Sequence, residues 1–333
     1  MKAFIIDQYK EATARRIGAM PMPEIGDDAV LVKVHATSIN PLDCKLAAGE
    51  FKPILPYRTP FILGHDLAGT VERVGSAVKR FKPGDAVFGR PRDGSIGTFA
   101  EFIAVNEADL AAKPTNLTME EAASIPLVGL TAWQVLVERA RVKAGQKVLI
   151  HAGSGGFGTI AIQLAKHLGA HVATTTGPSN QTLVMRLGAD VAVDYRSERF
   201  ETELAGYDVV INTLDKATLE KSVGVLKPDG QLISISGPPD GDFAKEKGLN
   251  PILRVVMRVL SLGIRRKAAR QNVHYAFHFM HASGVQLEKL TPLLEDNTIR
   301  PVIDRVFPFD EIANALAYVE SGRAKGKVVV SIV

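Results

Sequence analysis

The stretch KVLIHAGSGGFGTIAIQLAKHLGAHVATTT, residues 147–176, constrains the fold more than any other part of the chain. A short apolar run leads into glycines spaced G-x-G-x-x-G (Gly153, Gly155, Gly158), and the residues after them have helical spacing. Strand, glycine turn and helix in that order make the phosphate-binding corner of a dinucleotide site. Gly153 serves the tight turn, Gly155 lets a pyrophosphate reach the backbone, and Gly158 lets helix and strand pack closely. Ser154, Gly156, Phe157 and Thr159 complete the loop, and the N–H groups at the helix start are expected to meet phosphate oxygens.

The neighbouring sequence continues the pattern. AHVATTT, VAVDY, YDVVINTL, QLISISG and HYAFHFM read as strands, and QTLVMRLGA as a helix. Apolar strands alternating with helices predict a parallel sheet covered on both faces. The first 120 residues differ: AVLVKVHATSIN alternates, GTVERVG, DAVFGR and FAEFIAV are short, and Gly and Pro punctuate them. An antiparallel, partly closed β domain is expected there. Thr118-x-x-Glu121 has capping-box spacing and opens the helical stretch TMEEAASIPLVGLTAWQVLVERA. IRPVIDRVFPFDEIANALAYVESGRAKGKVVVSIV is too short for a domain and is expected to return to the N-terminal one. A chain of 333 residues suggests two domains. They are expected over 1–124, completed by 282–333, and over 125–281.

The strand after the glycine loop indicates which dinucleotide is held. NAD sites carry an acid near its end to bond the ribose 2′-hydroxyl. Here that position is ATTTGPSNQ, with no acid before Asp190. Thr175, Ser179 and Asn180 offer hydrogen bonds to a 2′-phosphate, and Tyr195 with Arg196 can approach from the next strand's end. NADPH is the expected cofactor, although the loop itself contains no Lys or Arg.

Several classes are disfavoured. The net charge is +4, from 40 basic and 36 acidic residues spread along the chain, so no basic stripe for nucleic acid is evident. The single cysteine, Cys44, excludes an intrachain disulfide and a Cys-rich zinc lobe, and fits a reducing, cytoplasmic compartment. The start lacks signal-peptide features, and no apolar run is long enough for a transmembrane segment.

The segments ATSINPLDCKLAAG, GHDLAGTVERVGSAVKRFKPGDAVFG, IPLVGLTAW, HAGSGGFGTIAIQLAKHLGA and ESGRAKGKVVV together resemble the medium-chain dehydrogenase/reductase superfamily. Over nearly the whole chain the resemblance is to its zinc-independent quinone oxidoreductases and alkenal/enone reductases, the zeta-crystallin-like branch. It implies an α/β protein with a GroES-like, partly open N-terminal β-barrel and a Rossmann domain with a doubly wound parallel sheet. It also implies a cofactor placed between the domains and a homodimer through the edge of the cofactor sheet. Thr131 matches a position near the nicotinamide ribose. Leu214, Ser236 and Gly237 fall at carboxyl ends of strands, where such sheets bind ligands. Lys327, on the returning segment, either reaches the cofactor or is a solvated lysine.

Zinc members of the superfamily have Cys, His, Glu and Cys where this chain has Asn40, His65, Asp66 and Leu127. Catalytic zinc needs three ligands of Cys, His or carboxylate type. Two of the three principal positions cannot supply one, and GRPRDGSIG has no cysteine for a structural zinc, so no metal is expected. Asn40 then either bonds a group in the active site or caps the turn before Pro41.

Without a Lewis acid, hydride transfer to a conjugated acceptor is easier than alcohol oxidation. A hydrophobic quinone or α,β-unsaturated carbonyl is therefore the expected substrate. Tyr57, in a loop that the resemblance places at the substrate mouth, ranks first among possible donors, ahead of Lys45, His65 and Tyr275. The alternatives are a zinc-type alcohol dehydrogenase and a non-catalytic NADPH-binding sensor or accessory protein. One stretch, within residues 245–271, remains apart. Apolar Ile252, Val255, Val256, Val259 and Leu260 have helical spacing among Arg254, Arg258, Arg265, Arg266, Lys267 and Arg270. Such a basic amphipathic segment can cover a substrate site, meet a subunit, or touch a membrane surface through 252–270.

Overall fold

Residues Ala29–Ile39 form a long strand because AVLVKVHATSI sets the β-branched residues Val30, Val32, Val34, Thr37 and Ile39 at mostly alternating positions. The structure, a computed structural model, describes residues 1–52 and 54–333. They form two units: Met1–Leu130 with His281–Val333, and Thr131–Met280.

In the first unit the strands are β1 (Lys2–Ile6), β2 (Arg15–Ala19), β3 (Ala29–Ile39), β4 (Phe61–Ile62), β5 (Leu67–Val74), β6 (Ala86–Gly89), β7 (Phe102–Asn106) and β8 (Leu110–Ala112). β5 lies along one edge of β3, and β7 pairs with the first half of β3's other edge. The second half of that edge is taken by a strand from the far end of the sequence, so the C-terminal segment completes this sheet. Val30, Val32, Val34, Leu67, Val87 and Leu110 fill one core at 0% exposure, each worth roughly 1.5–3 kcal/mol of burial.

The second unit is a parallel sheet of β9 (Lys147–Ile150), β10 (His171–Thr176), β11 (Val191–Asp194), β12 (Tyr207–Asn212), β13 (Leu226–Ser234) and β14 (His274–Phe277). Its order is β11-β10-β9-β12-β13-β14, which doubles back between β9 and β12. Ligands of open parallel sheets bind outside the carboxyl ends of the strands at such a switch. Val148, Leu149, Ile150, Val209, Val210 and Ile211 are buried, as expected for strands covered on both faces.

After β14 the chain re-enters the first unit, where β15 (Ile303–Pro308) and β16 (Lys327–Ser331) pair in parallel and β16 joins β3. Thr118 and Glu121 form the expected capping box. The helical stretch beyond it is less regular than its spacing suggests. It breaks before Pro126, whose ring disfavours a helical residue ahead of it. Past Trp133 it widens to a π-helical turn in which Ala140 N–H bonds Val135 C=O at 2.9 Å.

Candidate functional site

The glycine corner of the second unit is shaped by contacts that exclude side chains. A Cβ on Gly153 would lie 2.0 Å from Thr174 Oγ1, and one on Gly158 would lie 2.4 Å from the Ala152 carbonyl oxygen. Ala152, just ahead of them, holds the left-handed conformation (φ +54°). Gly155 differs: a Cβ there would meet only the Ala152 oxygen, at 3.3 Å. Gly155 is also the N-cap of the Gly156–His167 helix, and no side chain among the described residues caps that terminus. Thr159 N–H bonds back to Gly155 C=O, and the N–H groups of Gly156, Phe157 and Gly158 precede it at the positive end of the helix.

Side chains behind the loop are tied to one another. Ser154 Oγ accepts from Thr176 Oγ1 (3.1 Å) and Asn180 Nδ2 (3.2 Å), linking the loop to the end of β10. Thr175 is buried; its Oγ1 accepts from Ala152 N–H at 3.1 Å and lies 3.1 Å from His151 Nδ1. His151 Nε2 meets Ser222 Oγ at 2.9 Å, and that hydroxyl donates onward to the Thr218 carbonyl. Burial pushes the His151 imidazole down to about 4. Ser179 and Arg196 are exposed, and so is Tyr195, whose backbone N–H bonds Thr176 C=O. The Arg196 guanidinium sits 6.0 Å from the Tyr195 ring. Asp194 accepts from Arg196 N–H and Ser197 Oγ, Glu198 accepts from Asp194 N–H, and Asp190 pairs with Lys166. At the ends of β12 and β13, the Leu214 carbonyl accepts from Asn212 Nδ2 and Ser236 Oγ, while Gly237 N–H bonds Ser234 Oγ. Thr131 is buried in the Pro126–Trp133 helix. Apart from Thr131, these residues follow the carboxyl ends of five consecutive strands, and they fit a dinucleotide whose pyrophosphate meets Gly155 and the helix start.

The first unit holds a different arrangement around Asp66, which is fully buried. Its Oδ2 accepts from Ser38 Oγ (2.7 Å), Asn40 Nδ2 (2.8 Å) and Lys327 Nζ (3.3 Å), and its Oδ1 accepts from Leu127 N–H (2.7 Å). Pairing of Val328 with Ile39 places Lys327 beside the end of β3. Lys327 is only 4% exposed, so it is not a solvated lysine. Its three donors meet Asn40 Oδ1 (2.5 Å), the Ile39 carbonyl (3.2 Å) and Asp66. Burial pulls its ammonium below the ordinary lysine value, against the opposing pull of Asp66 and Asp43. Asn40 N–H bonds Asp43 Oδ2 at 2.8 Å, and Asp43 Oδ1 lies 2.6 Å from His65 Nδ1. His65 Nε2 is buried without a hydrogen-bond partner.

This donor set does not fit catalytic zinc. Asn40 and Leu127 bring no thiolate, and Asp66 is already bonded to an ammonium. Among the described residues no three His, Cys, Asp or Glu side chains are grouped to hold a metal. Tyr57 stands outside the hydrogen-bonded group. Its hydroxyl accepts from Gly94 N–H at 3.2 Å, its ring stacks on Phe61, and burial raises its pKa, so the phenol stays protonated. Tyr275 donates to the Pro238 carbonyl.

Ser38 and Asp43 were not singled out by the sequence. Ser38 shares a strand face with Asn40, and Asn40-x-x-Asp43 has capping-box spacing, so both left a signal.

The doubled-back parallel sheet with its glycine corner defines a dinucleotide-binding protein. Comparison with known proteins makes this specific. Residues 26–115 match the alcohol dehydrogenase GroES-like domain, and residues 187–330 match the family described as zinc-binding dehydrogenase. The chain is 35% identical to a 2-methylene-furan-3-one reductase of Solanum lycopersicum, over 99% of this chain and 79% of that protein. It is equally 35% identical to an NADPH-dependent alkenal/one oxidoreductase, chloroplastic, of Arabidopsis thaliana, with the same coverage. A quinone oxidoreductase structure from Coxiella burnetii superposes with a TM-score of 0.88 at 29% identity, covering 100% of this chain and 99% of that one. The chain belongs to the medium-chain dehydrogenase/reductase superfamily, among its quinone and alkenal/enone reductases, and is an NAD(P)H-dependent oxidoreductase.

Proposed function

We propose that the protein is an NADPH-dependent reductase of quinones or of the C=C bond of α,β-unsaturated carbonyls, working without zinc. The observation that carries this is the Lys327 ammonium bonded to Asn40 and Asp66, which leaves a fixed cation where a metal's ligands would be required. Alcohol oxidation would lack a Lewis acid to hold an alkoxide. A conjugated acceptor instead collects charge on its own carbonyl oxygen and needs only donors and a later proton, which water can supply.

When bound, the reduced nicotinamide supplies the hydride. Gly155 and the helix start would hold its pyrophosphate, with Gly153, Gly156, Phe157, Gly158 and Thr159 shaping the corner. Asn180, Ser179, Tyr195 and Arg196 would receive the 2′-phosphate, and the sequence has no acid between Thr176 and Asp190 to bond a 2′-hydroxyl in its place. Thr175 and Lys327, whose donors are engaged, would brace the site rather than touch the cofactor. Asn40 would be a positioning residue, because its carboxamide is fixed from both ends. Tyr57 is the candidate donor to the acceptor's oxygen. The names of the tomato, Arabidopsis and Coxiella proteins support an enone, alkenal or quinone substrate. No helix among the described residues is long and apolar enough to cross a membrane. A cytoplasmic homodimer is part of the proposal, and gel filtration of the purified protein tests its oligomeric state.

The test is product analysis over quinones, alkenals and enones with NADPH and with NADH. Saturated carbonyls or hydroquinones formed preferentially with NADPH are expected. Preferred turnover with NADH would overturn the cofactor reading. Tight NADPH binding with no oxidation across the panel would favour a sensor.

A further inference from the structure

Scattered exposed aliphatic residues need no explanation, but a cluster does. Six of the thirteen large apolar side chains exposed among the described residues fall within positions 252–262: Ile252, Val255, Val256, Val259, Leu260 and Leu262. They belong to two successive helices, Pro251–Leu260 and Leu262–Ala269. The Asn250 side chain caps the first through Leu253 N–H at 2.9 Å, and Arg254 Nε bonds the Leu249 carbonyl, so its entry is fixed. Met257, Ser261, Ile264 and Ala268 are the buried positions, spaced as one inward stripe. From the helical repeat, the exposed aliphatics of the first helix span an arc of about 140° on another side.

The charge around this stripe has one sign. No Asp or Glu occurs between Glu246 and Glu288, whereas seven Lys and Arg lie in residues 247–270. Arg258, Arg265, Arg266, Lys267 and Arg270 are exposed. At helical spacing, the row of Ile252, Val256 and Val259 leads on past Ser261 to Arg266 and Arg270. A second copy of the chain seated here would bring like charges together with no acid in the segment to pair them. An anionic bilayer instead satisfies both parts: acyl chains receive the aliphatics while lipid phosphates meet the guanidinium and ammonium groups. A ten-residue helix is about 15 Å long, too short to span a bilayer but enough to lie in its interface.

We propose that the helix pair 251–269 docks the protein on an anionic phospholipid surface. No residue of the segment belongs to the glycine corner or to the Asp66 group, so the proposal does not rest on the reductase reading. The test is co-sedimentation of the full chain with phosphatidylcholine vesicles, and with vesicles in which about a third of the lipid is phosphatidylserine. Binding to the anionic vesicles is expected to be at least tenfold tighter and to weaken with salt. Each exposed basic group removed near the surface costs about fivefold, so Arg265→Gln with Arg266→Gln should cost roughly 25-fold. Val255→Glu with Val259→Glu should abolish binding, with the urea midpoint unchanged because both side chains are exposed. Equal affinity for both vesicles, no binding to either, or binding indifferent to both double variants would overturn the proposal. So would self-association abolished by the valine variant without any vesicle binding.

Discussion

The glycine corner of the second unit and the Asp66 group of the first are both polar sites built into tightly packed surroundings, yet they are completed in opposite ways. In the corner, close packing at Gly153 and Gly158 keeps the chain tight, the Gly155 N–H turns back to the Ala152 carbonyl, and the N–H groups of the first helical turn follow it. On the proposed reading the donors of that turn hold the cofactor's pyrophosphate. Around Asp66, the carboxylate, carboxamide and ammonium satisfy one another at 2.5–3.3 Å, and His65 Nε2 is the nitrogen left over. On the proposed reading one site takes its charged partner from the cofactor, and the other has its cation built in as Lys327. The proposed independence of metal rests on the principle that buried charge is tolerated only when paired.

Breaking the internal pair should produce the largest effect. Lys327→Met leaves Asp66 buried without its cation and should cost about 3–5 kcal/mol in urea unfolding. Adding Asp66→Asn should restore part of that loss. A cost below about 1 kcal/mol would mean that the ammonium does not balance Asp66.

His151 backs the corner through Thr175, and its neutral state has a pH signature. Its folded pKa, about 4, lies below the ordinary value of about 6.5, so the unfolded chain binds more protons between the two. The contribution is whole above that upper value and is lost as pH falls toward the lower one, by up to about 3 kcal/mol. The difference in urea stability between the wild type and His151→Asn should shrink correspondingly between neutral pH and pH about 4.5. A constant difference would mean that folding does not shift the His151 pKa.

Smaller effects separate the glycines and the nucleotide edge. Gly155→Ala meets nothing closer than 3.3 Å, so the fold should survive while NADPH affinity falls about tenfold, as read by fluorescence titration. Unchanged affinity would move the pyrophosphate elsewhere. Arg196→Ala, at an exposed position, should reduce the preference for NADPH over NADH by about fivefold, measured as the ratio of kcat/KM values.

The two regions also differ in how far they could be foreseen. Gly153 is dictated by the Thr174 side chain and Gly158 by the Ala152 and Gly153 backbone, all within one short stretch, so the sequence carries their imprint. The parallel sheet was visible for a similar reason, since strands such as VLI and VVI must be apolar on both faces. The bond from Lys327 to Asn40 joins residues 287 positions apart and arises only when β16 pairs with β3. No local period encodes it, and a lysine near the C-terminus reads as solvated until that pairing is known. Thr175 illustrates the same limit: the end of β10 was foreseen, but not that its hydroxyl turns inward to Ala152 and His151.

The most direct test of the central claim is metal content measured together with turnover. Freshly purified protein should contain far less than stoichiometric zinc and should reduce an enone or quinone with NADPH at the same rate before and after exhaustive chelation. One zinc per chain, with turnover lost on its removal and restored on its return, would contradict the assignment of Lys327 as the site's cation.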